Sequence, residues 1–371
     1  MAPPLRVAYT IEQCWHRVPG GTAQSAIDLA LAMGERNDVE LVGVAARHRH
    51  PPDAAFQPPM PVRHLSVPRR ALYELWHRAG WPDATMATGP VDVVHGTGGA
   101  TPPRRGTPLV VTVHDLAVLH HPDFFTANGR FFLRAAIETA RQRADLVICP
   151  SQATVDDCLE HGFDPDRTVR VAHGVDAAAA SADAVAEVRA RYRLPERFVL
   201  FVGTAEPRKN LATLIAALAQ LDDPQPPPLV LVGPDGWGGV DTDPSPGSRK
   251  IELRSLGFVP RVDLGPLYAA ATVFCYPSLL EGFGLPVLEA MAQGTPVVTS
   301  RDTATAEVVG DGGLLADARD PASVAGALAE VLGETDPDTR WGRAGAARAA
   351  TYTWPEAAAQ TVAAYQRAVA P

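Results

Sequence analysis

Two glycines and two prolines in the segment Cys275–Met291 are ordered in a way that suits the binding of a phosphate group. An apolar run ends at Pro277, and a helix is expected to begin at about Pro286, because proline fits the first turn of a helix. The first N–H groups of such a helix and the positive end of its dipole attract anions. Gly282 and Gly284, which lie between the two prolines, let the backbone approach a ligand closely.

Glu281 and Glu289 flank these glycines, with seven residues between them. Glu281 is expected at the entrance of the loop and Glu289 on the first turn of the helix, so both carboxylates can face one pocket from different heights. Elsewhere, Glu281 would be a helix cap or a solvated side chain, and Glu289 a salt-bridged helix residue. Around this helix start, the pair indicates contact with a ligand.

Only two of the 33 basic residues are lysines, Lys209 and Lys250. A GC-rich genome explains the excess of arginine and leaves Lys250 as an ordinary loop residue. It does not explain why Lys209 directly follows Arg208 in a turn behind an apolar strand. A guanidinium group offers a planar fork of donors and an ammonium group a compact charge, so the two side chains together suit an anionic ligand.

The elements that must position these residues alternate between short apolar strands and helices, which is typical of parallel, doubly wound α/β sheets. The predicted strands are Leu5–Tyr9, Glu40–Ala45, Val91–His95, Leu109–His114, Leu146–Cys149 and Thr168–Val171 in a first series, then Phe198–Val202, Leu229–Val232, Val273–Tyr276 and Pro296–Thr299 in a second. Helices are predicted at Gly21–Met33, Arg130–Arg143, Asp183–Tyr192 and about Trp354–Val369, and a Gly/Pro/Asp/Ser-rich loop at Gly233–Ser248.

The break between the two series predicts the domain boundaries. Residues 1–176 are expected to form one domain and residues 196–352 a second, with the alanine-rich segment 177–195 as a linker and 353–371 as a final helix. All 11 histidines lie within residues 1–176, which suits hydrogen bonding or proton transfer to an acceptor there. Scattered surface histidines would explain this count equally well.

The composition excludes several classes of protein. Hydrophobic residues make up 46% of the 371 residues, as in globular proteins, and the formal net charge of −9 argues against nucleic-acid binding, which needs a basic surface. Four cysteines without a CxxC pair predict reduced, buried thiols. The sequence contains no 18-residue apolar run and no charged-then-apolar leader, so we expect a cytoplasmic protein.

The segment His95–Thr101 supplies the first two glycines of the dinucleotide fingerprint GxGxxG, but Thr101 stands where the third glycine is needed. This argues against a nicotinamide-dependent dehydrogenase. The phosphate loop GxxxxGK[ST] is absent, because neither lysine follows a glycine.

The segment Glu281–Glu289, with its sequence EGFGLPVLE, resembles the signature of the family 4 retaining, nucleotide-sugar-dependent glycosyltransferases, also called group 1 glycosyl transferases, which have the two-domain GT-B fold. The similarity continues in Phe201–Asn210, which resembles the turn with the family's diphosphate-binding arginine and lysine, in the nucleobase-side loop Leu256–Pro260, and in Gly20–Gly21 and His114–Asp115 of the first domain. It covers nearly the whole chain.

The resemblance implies a role for each matching residue. Arg208 and Lys209 would stabilise the leaving diphosphate as catalytic residues, with Gly203 in the same turn and Gly21 close to the diphosphate. Glu281 would hold the donor sugar and His114, from the opposite domain, the transferring sugar. The other donor-binding residues would be Phe258 and Val259 near the base, the backbone of Gly282, Phe283, Gly284 and Leu285 at the sugar hydroxyls, and Glu289 at the ribose. The final helix would cross back to the first domain, and the two domains would face each other across a cleft.

The resemblance implies retaining transfer of a hexose from a nucleotide-diphosphate sugar to a glycan, lipid-linked or small-molecule acceptor, as in polysaccharide biosynthesis. Similarity around Val113–Leu116 and His173–Asp176 favours mannose from GDP-mannose; UDP-glucose or another UDP- or dTDP-sugar is the alternative. A nucleotide-sugar epimerase, a sugar phosphorylase and a non-catalytic sugar-nucleotide-binding subunit also fit the fold. The intact Arg208, Lys209 and Glu281 argue against the last of these.

No metal or other cofactor is expected, because Arg208, Lys209 and a helix dipole can together stabilise the leaving diphosphate. The Asp-x-Asp strings that could hold a metal ion, at 164–166, 241–243 and 336–338, lie in loop-like contexts.

The segment Pro68–Trp81 predicts a basic, aromatic helix. Its apolar face would consist of Leu72, Leu75 and Trp76, and the basic residues nearby are Arg69, Arg70 and Arg78. Such a helix could contact an anionic membrane or a lipid-linked acceptor. Alternatively, it packs on its own domain.

Overall fold

A computed structural model of the chain describes residues 3–234, 249–334 and 340–370. The chain divides into two compact units, Met1–Gly174 with Thr353–Pro371, and Val175–Tyr352. Residues 177–195, predicted to be a linker, therefore lie in the second unit. Most of the predicted loop at 233–248 and two of the Asp-x-Asp strings lie outside the described residues.

Thirteen strands occur in the described parts of the chain. They are β1 Leu5–Thr10, β2 Val39–Ala45, β3 Val62–His64, β4 Val93–Gly96, β5 Leu109–Thr112, β6 Leu146–Cys149, β7 Thr168–Arg170, β8 Val199–Val202, β9 Leu229–Val232, β10 Leu253–Gly257, β11 Val273–Tyr276, β12 Val297–Ser300 and β13 Leu314–Ala316. The sequence did not predict β3, β10 and β13. The predicted strand Leu109–His114 ends at Thr112, which leaves His114 in a loop.

The helices among the described residues are α1 Gly20–Gly34, α2 Arg69–Ala79, α3 Thr85–Thr88, α4 Ala117–His120, α5 Ala127–Arg143, α6 Gln152–Glu160, α7 Ala182–Arg191, α8 Leu211–Ala219, α9 Arg261–Ala270, α10 Leu285–Ala292, α11 Ala304–Val309, α12 Pro321–Leu332, α13 Arg340–Ala349 and α14 Trp354–Val369. Short 3₁₀ turns include Glu12–Trp15 and Pro207–Lys209. Within the described ranges, no helix is both long and apolar enough to cross a bilayer.

Both sheets consist of strands that pair in parallel. The first unit has the strand order β3-β2-β1-β4-β5-β6-β7 and the second the order β10-β9-β8-β11-β12-β13. The order reverses between β1 and β4 in the first sheet and between β8 and β11 in the second. In open α/β sheets, ligands bind beyond the carboxyl ends of the strands at such a switch point. The fold therefore predicts a binding edge in each unit.

Alternate residues of β1 enter the two apolar layers of the first unit. Val7 and Tyr9 pack in one layer with α1 and α14, and Ala8 packs in the other with Leu72 and Trp76 of α2. Because Leu72 and Trp76 are 0% and 2% exposed, the apolar face of α2 is buried in its own unit. This matches the alternative offered for the segment, in which the helix packs on its own domain.

Helix α7 packs on α9 within the second unit. Arg191 at its end donates two hydrogen bonds of 2.7 Å to the carboxylate of Asp263, and the Tyr192 hydroxyl donates a third of 2.6 Å. Val188 of α7 is buried. These contacts anchor the helix of the alanine-rich segment to the second unit.

Candidate active site

Arg208 and Lys209 lie in the 3₁₀ turn Pro207–Lys209 that follows β8, at the carboxyl edge of the second sheet. The turn ends at Asn210, whose φ of 58° is left-handed. The Asn210 amide donates to the carbonyl oxygens of Pro277 at 3.1 Å and Ala318 at 2.6 Å. This amide therefore ties the turn after β8 to the loop after β11.

Glu281 in that loop lies between the two cations. Arg208 Nη1 donates to Glu281 Oε2 at 3.1 Å, and Lys209 Nζ donates to Glu281 Oε1 at 2.7 Å. Arg208 also donates through Nη2 to Glu206 Oε1 at 2.8 Å, and Lys209 donates to the Tyr276 hydroxyl. Two cations and two carboxylates thus form one charge-balanced cluster, in which the Lys209 and Glu281 side chains are each 9% exposed.

The cluster sets the protonation state of its members. Burial alone would raise the pKa of Glu281, but the positive charges of Arg208 and Lys209 outweigh this and bring it down to about 2. Burial lowers the pKa of Lys209, and the negative charge of Glu281 opposes that change. Glu281 is therefore ionised at neutral pH, and its charge helps to keep Lys209 protonated.

Helix α10 begins directly after this loop, at Leu285, with Pro286 in its first turn. Gly284 has a φ of 99°, and a Cβ atom there would lie 2.6 Å from Cγ2 of Thr305. Only glycine fits this position without a shift of its surroundings. The first N–H groups of a helix have no partner within it, so the start of α10 at Leu285 has a geometry that suits an anion.

Glu289 lies on the second turn of α10 and accepts a hydrogen bond of 2.8 Å from the Tyr268 hydroxyl. Phe258 and Val259 follow β10 at the same sheet edge. Phe258 is 65% exposed, whereas Val259 is buried. An exposed aromatic ring at a carboxyl edge is free to stack on a planar ligand. Gly203 follows β8, and its carbonyl would meet a Cβ atom on Gly233 at 2.2 Å.

In the first unit, His114 and the start of α1 share one neighbour, Gly98 after β4. A Cβ atom on Gly98 would lie 2.9 Å from Cδ2 and Nε2 of His114 and 3.0 Å from Cγ2 of Thr22. Gly20 and Gly21, which begin α1, are exposed. The structure therefore brings His114 and Gly21 to the same carboxyl edge of the first sheet, as it brings Arg208, Lys209, Glu281 and Glu289 to that of the second.

A cavity of about 380 Å³ lies in the first unit beyond β2 and β3. Its lining includes Trp15, His48, Arg49, His50, Gln57 and His64. His48 Nε2 lies 2.9 Å from Oε1 of the buried Glu12, and its ring stacks on Trp15 at 4.8 Å between centroids. His48 and His50 thus line a polar and aromatic cavity.

The structure adds residues that the sequence did not single out. Glu206 fixes Arg208 from the side opposite Glu281, Tyr276 contacts Lys209, and Tyr268 holds Glu289. An acidic residue two positions before Arg208 was the available signal for Glu206. Tyr276 and Tyr268 carry no such signal, because they lie on an apolar strand and in a helix where the sequence indicates only a buried core.

One group of side chains in the described ranges could converge on a metal ion, namely His120, Asp157 and His161. None of them belongs to the predicted site. His120 Nε2 and His161 Nδ1 lie 2.8 Å and 3.0 Å from Oδ1 of Asp157. In the Asp-x-Asp string 164–166, Asp164 accepts a hydrogen bond from the Asp166 amide and pairs with Arg167.

Two parallel-sheet α/β units, with a cation–carboxylate cluster and a glycine-rich helix start at one switch point, define a GT-B glycosyltransferase. Residues 19–179 match the model of Glycosyltransferase Family 4, and residues 186–348 match that of Glycosyl transferases group 1. The chain belongs to this glycosyltransferase family.

Curated relatives include O-antigen chain mannosyltransferase B of Escherichia coli, which is 33% identical over 71% of this chain and 71% of its own length. MMP alpha-(1->4)-mannosyltransferase of Mycolicibacterium hassiacum is 31% identical over 76% of this chain and 72% of its own. The crystal structure of HepE from Anabaena in complex with UDP-glucose has a TM-score of 0.72, with 21% identity over 98% of this chain and 100% of that one. The last similarity supports the GT-B fold.

Proposed function

We propose that the protein transfers a hexose with retention of anomeric configuration, without a metal ion, from a nucleotide-diphosphate sugar to an acceptor hydroxyl. The observation that carries this proposal is the cluster of Arg208, Lys209, Glu206 and Glu281 beside the start of α10. Its cations are already held in place by carboxylates, so little reorganisation is needed when charge develops on a leaving group. Transfer from a diphosphate leaving group without a metal ion needs fixed cations of this kind.

In the proposed reaction, the bond between C1 of the hexose and the diphosphate oxygen breaks while the acceptor oxygen bonds to C1 on the same face. The hydroxyl proton passes to the leaving phosphate oxygen, so no side chain needs to act as nucleophile or base. Arg208 and Lys209 stabilise the negative charge on the diphosphate. Glu281 and the amides of the 282–285 loop orient the hexose, and Glu289 binds the ribose.

We propose mannose from GDP-mannose as the donor, because two curated relatives are named as mannosyltransferases. UDP-glucose is the second candidate, because HepE was solved with that ligand. The acceptor is proposed to bind in the first unit, where the cavity lined by Trp15, His48 and Arg49 offers aromatic and cationic contacts to a glycan, lipid-linked or small-molecule acceptor.

Single substitutions of the two cations test this function. Arg208→Ala and Lys209→Ala are each expected to lower kcat by about 10²–10³-fold, the usual loss for a donor that stabilises developing charge. Release of nucleoside diphosphate from GDP-mannose and UDP-glucose is measured with a panel of methyl glycosides as acceptors. Lys250→Ala, which removes the exposed second lysine, is the matched control and keeps wild-type rates. Wild-type rates in both cation variants would rule out the proposed role of the cluster.

A further inference from the structure

The segment after β4, which carries only part of a dinucleotide fingerprint, lies against His114. Gly98 has a φ of 136°, and a Cβ atom there would lie 2.9 Å from the His114 ring. The imidazole therefore packs directly on the backbone of this segment. Its glycine serves the approach of a side chain, not of a pyrophosphate.

A hydrogen bond to this backbone fixes the tautomer of His114. His114 Nε2 lies 2.8 Å from the carbonyl oxygen of Thr97. A carbonyl oxygen only accepts, so the hydrogen lies on Nε2 and, in the neutral ring, Nδ1 carries the lone pair. The described part of the chain offers Nδ1 no hydrogen-bond partner. His114 thus presents an acceptor atom toward whatever lies at this sheet edge.

The side chain of Gln13 is hydrogen-bonded to the same backbone segment that accepts a hydrogen bond from His114. Gln13 Nε2 donates to Thr97 Oγ1 at 2.9 Å and to the Gly98 carbonyl oxygen at 3.0 Å, on either side of the Thr97–Gly98 peptide group. Thr97 is fixed in turn by Thr10, whose carbonyl oxygen accepts from Thr97 Oγ1 at 2.6 Å. The backbone around the accepting carbonyl of Thr97 is therefore fixed by the Gln13 side chain and by the Thr10 backbone, both near the start of the sequence.

Gln13 is an unusual choice for stability alone. It is 3% exposed, and its Oε1 atom is buried without a hydrogen-bond partner among the described residues. A buried polar atom without a partner destabilises the folded state. An apolar side chain of similar size would remove this unpaired oxygen, but it would also remove the donor to the Gly98 carbonyl oxygen. The donor end of the amide is therefore the part of Gln13 that this segment uses.

We propose that Gln13 is a positioning residue which, through the Thr97–Gly98 peptide, orients His114 so that Nδ1 can accept a hydrogen bond from a sugar hydroxyl group at the carboxyl edge of the first sheet. This inference rests on the proposed function, because that function makes a sugar the ligand. It extends the site to a residue in the 3₁₀ turn Glu12–Trp15, for which the sequence motifs gave no role.

Gln13→Met tests the kinetic part, since methionine keeps the volume and removes the donor. We expect kcat to fall about 10-fold, because a misplaced contact group acts on the transition state. The KM for the donor and the melting temperature should stay near those of the wild type. Gln142→Met, which removes an amide that donates to Glu138 on the exposed face of α5, is the control and keeps full activity. Wild-type kcat in Gln13→Met would overturn the proposal.

Nitrogen-15 NMR of histidine-labelled protein tests the structural part without any turnover. The wild-type spectrum is expected to show His114, assigned with His114→Gln, as the Nε2–H tautomer, and Gln13→Met is expected to show a mixture. A proton on Nδ1 in the wild-type protein would overturn the proposal even if Gln13→Met failed to fold. An Nε2–H tautomer in a protein that transfers no sugar would instead reject only the proposed function.

Discussion

At the scale of single residues, the charge cluster of the second unit is better explained by function than by stability. Burying charges is expensive, and apolar residues of similar volume are often as stable as a buried ion pair. Lys209 and Glu281 are nevertheless both buried at the carboxyl edge of a sheet, and Arg208 is held between two carboxylates. Perturbed pKa values of this kind are concentrated at functional sites.

The coupling between Glu281 and Lys209 gives a pH prediction. Burial lowers the pKa of Lys209 and the negative charge of Glu281 raises it. Glu281→Gln removes that charge, so the pKa of Lys209 falls further and the ammonium group loses its proton at a lower pH. The alkaline limb of the kcat profile should therefore move to lower pH, which is measured as the pH dependence of donor turnover. Glu252→Gln, an exposed glutamate paired with Arg254, is the control.

The opposite shift in Glu281→Gln, or no shift, would show that Lys209 does not titrate in this limb.

Glu281 itself makes stability depend on pH through a lowered pKa. Its pKa of about 2 lies below the usual value near 4.3. It therefore contributes stability above pH 4, and that contribution is lost as the pH falls toward 2.

The residue types and spacings of the sequence were enough to single out Arg208, Lys209, Glu281 and Glu289, because each is a charged group within three residues of a proline or glycine. They did not single out Glu206, although it lies only two positions before Arg208. The role of Gln13 depends on a contact that only folding creates, its approach to Thr97, which lies 84 residues away. Local sequence carries no record of such a pairing.

At the scale of elements, the start of α10 depends on one glycine. Gly284 combines a left-handed backbone with a contact to Thr305 that leaves no room for a Cβ atom. Gly284 therefore allows the sharp turn of the backbone at which the loop joins the helix, and the proposed binding of hexose hydroxyls by backbone amides depends on this turn.

A comparison of Gly284→Ala with Gly294→Ala separates the effect of the Thr305 contact from the effect of backbone strain. In Gly284→Ala both strain and overlap should act, so we expect a loss of about 2–4 kcal/mol in the free energy of unfolding and weaker donor binding. Gly294→Ala is the matched control, because Gly294 also has a positive φ, 72°, with nothing within 4 Å of its Cβ position. It should cost about 1 kcal/mol. Denaturant unfolding and titration calorimetry measure both; equal effects of the two changes would contradict the role of the Thr305 contact.

Element prediction succeeded where strands are buried and apolar, as for Leu146–Cys149 and Leu229–Val232, whose bounds the structure reproduces. It failed for β3, β10 and β13. These lie at or near the edges of their sheets, and their residues alternate in exposure or include Arg and His. Short edge strands have few apolar residues in their sequences. They become strands because they pair with a neighbouring strand in the folded protein.

At the scale of the whole molecule, the chain builds two sheets with separate cores, and the first is not continuous in sequence. Helix α14, at the end of the chain, packs on α1, and the hydroxyl of its Tyr365 lies 2.7 Å from Nδ1 of the buried His95. The proposed function divides in the same way. The diphosphate contacts of Arg208 and Lys209 and the nucleoside contacts belong to the second unit, whereas His114, Gly21 and the acceptor cavity belong to the first.

The central claim is retaining, metal-independent transfer from a nucleotide sugar, and the product's anomeric configuration tests it most directly. The protein is incubated in EDTA with GDP-α-mannose or UDP-α-glucose and methyl glycosides, and NMR reads the one-bond carbon–proton coupling at the new anomeric centre. The account predicts an α-glycoside formed together with nucleoside diphosphate, at a rate that EDTA leaves unchanged. A β-glycoside, or transfer that begins only when Mg²⁺ or Mn²⁺ is added, would contradict it.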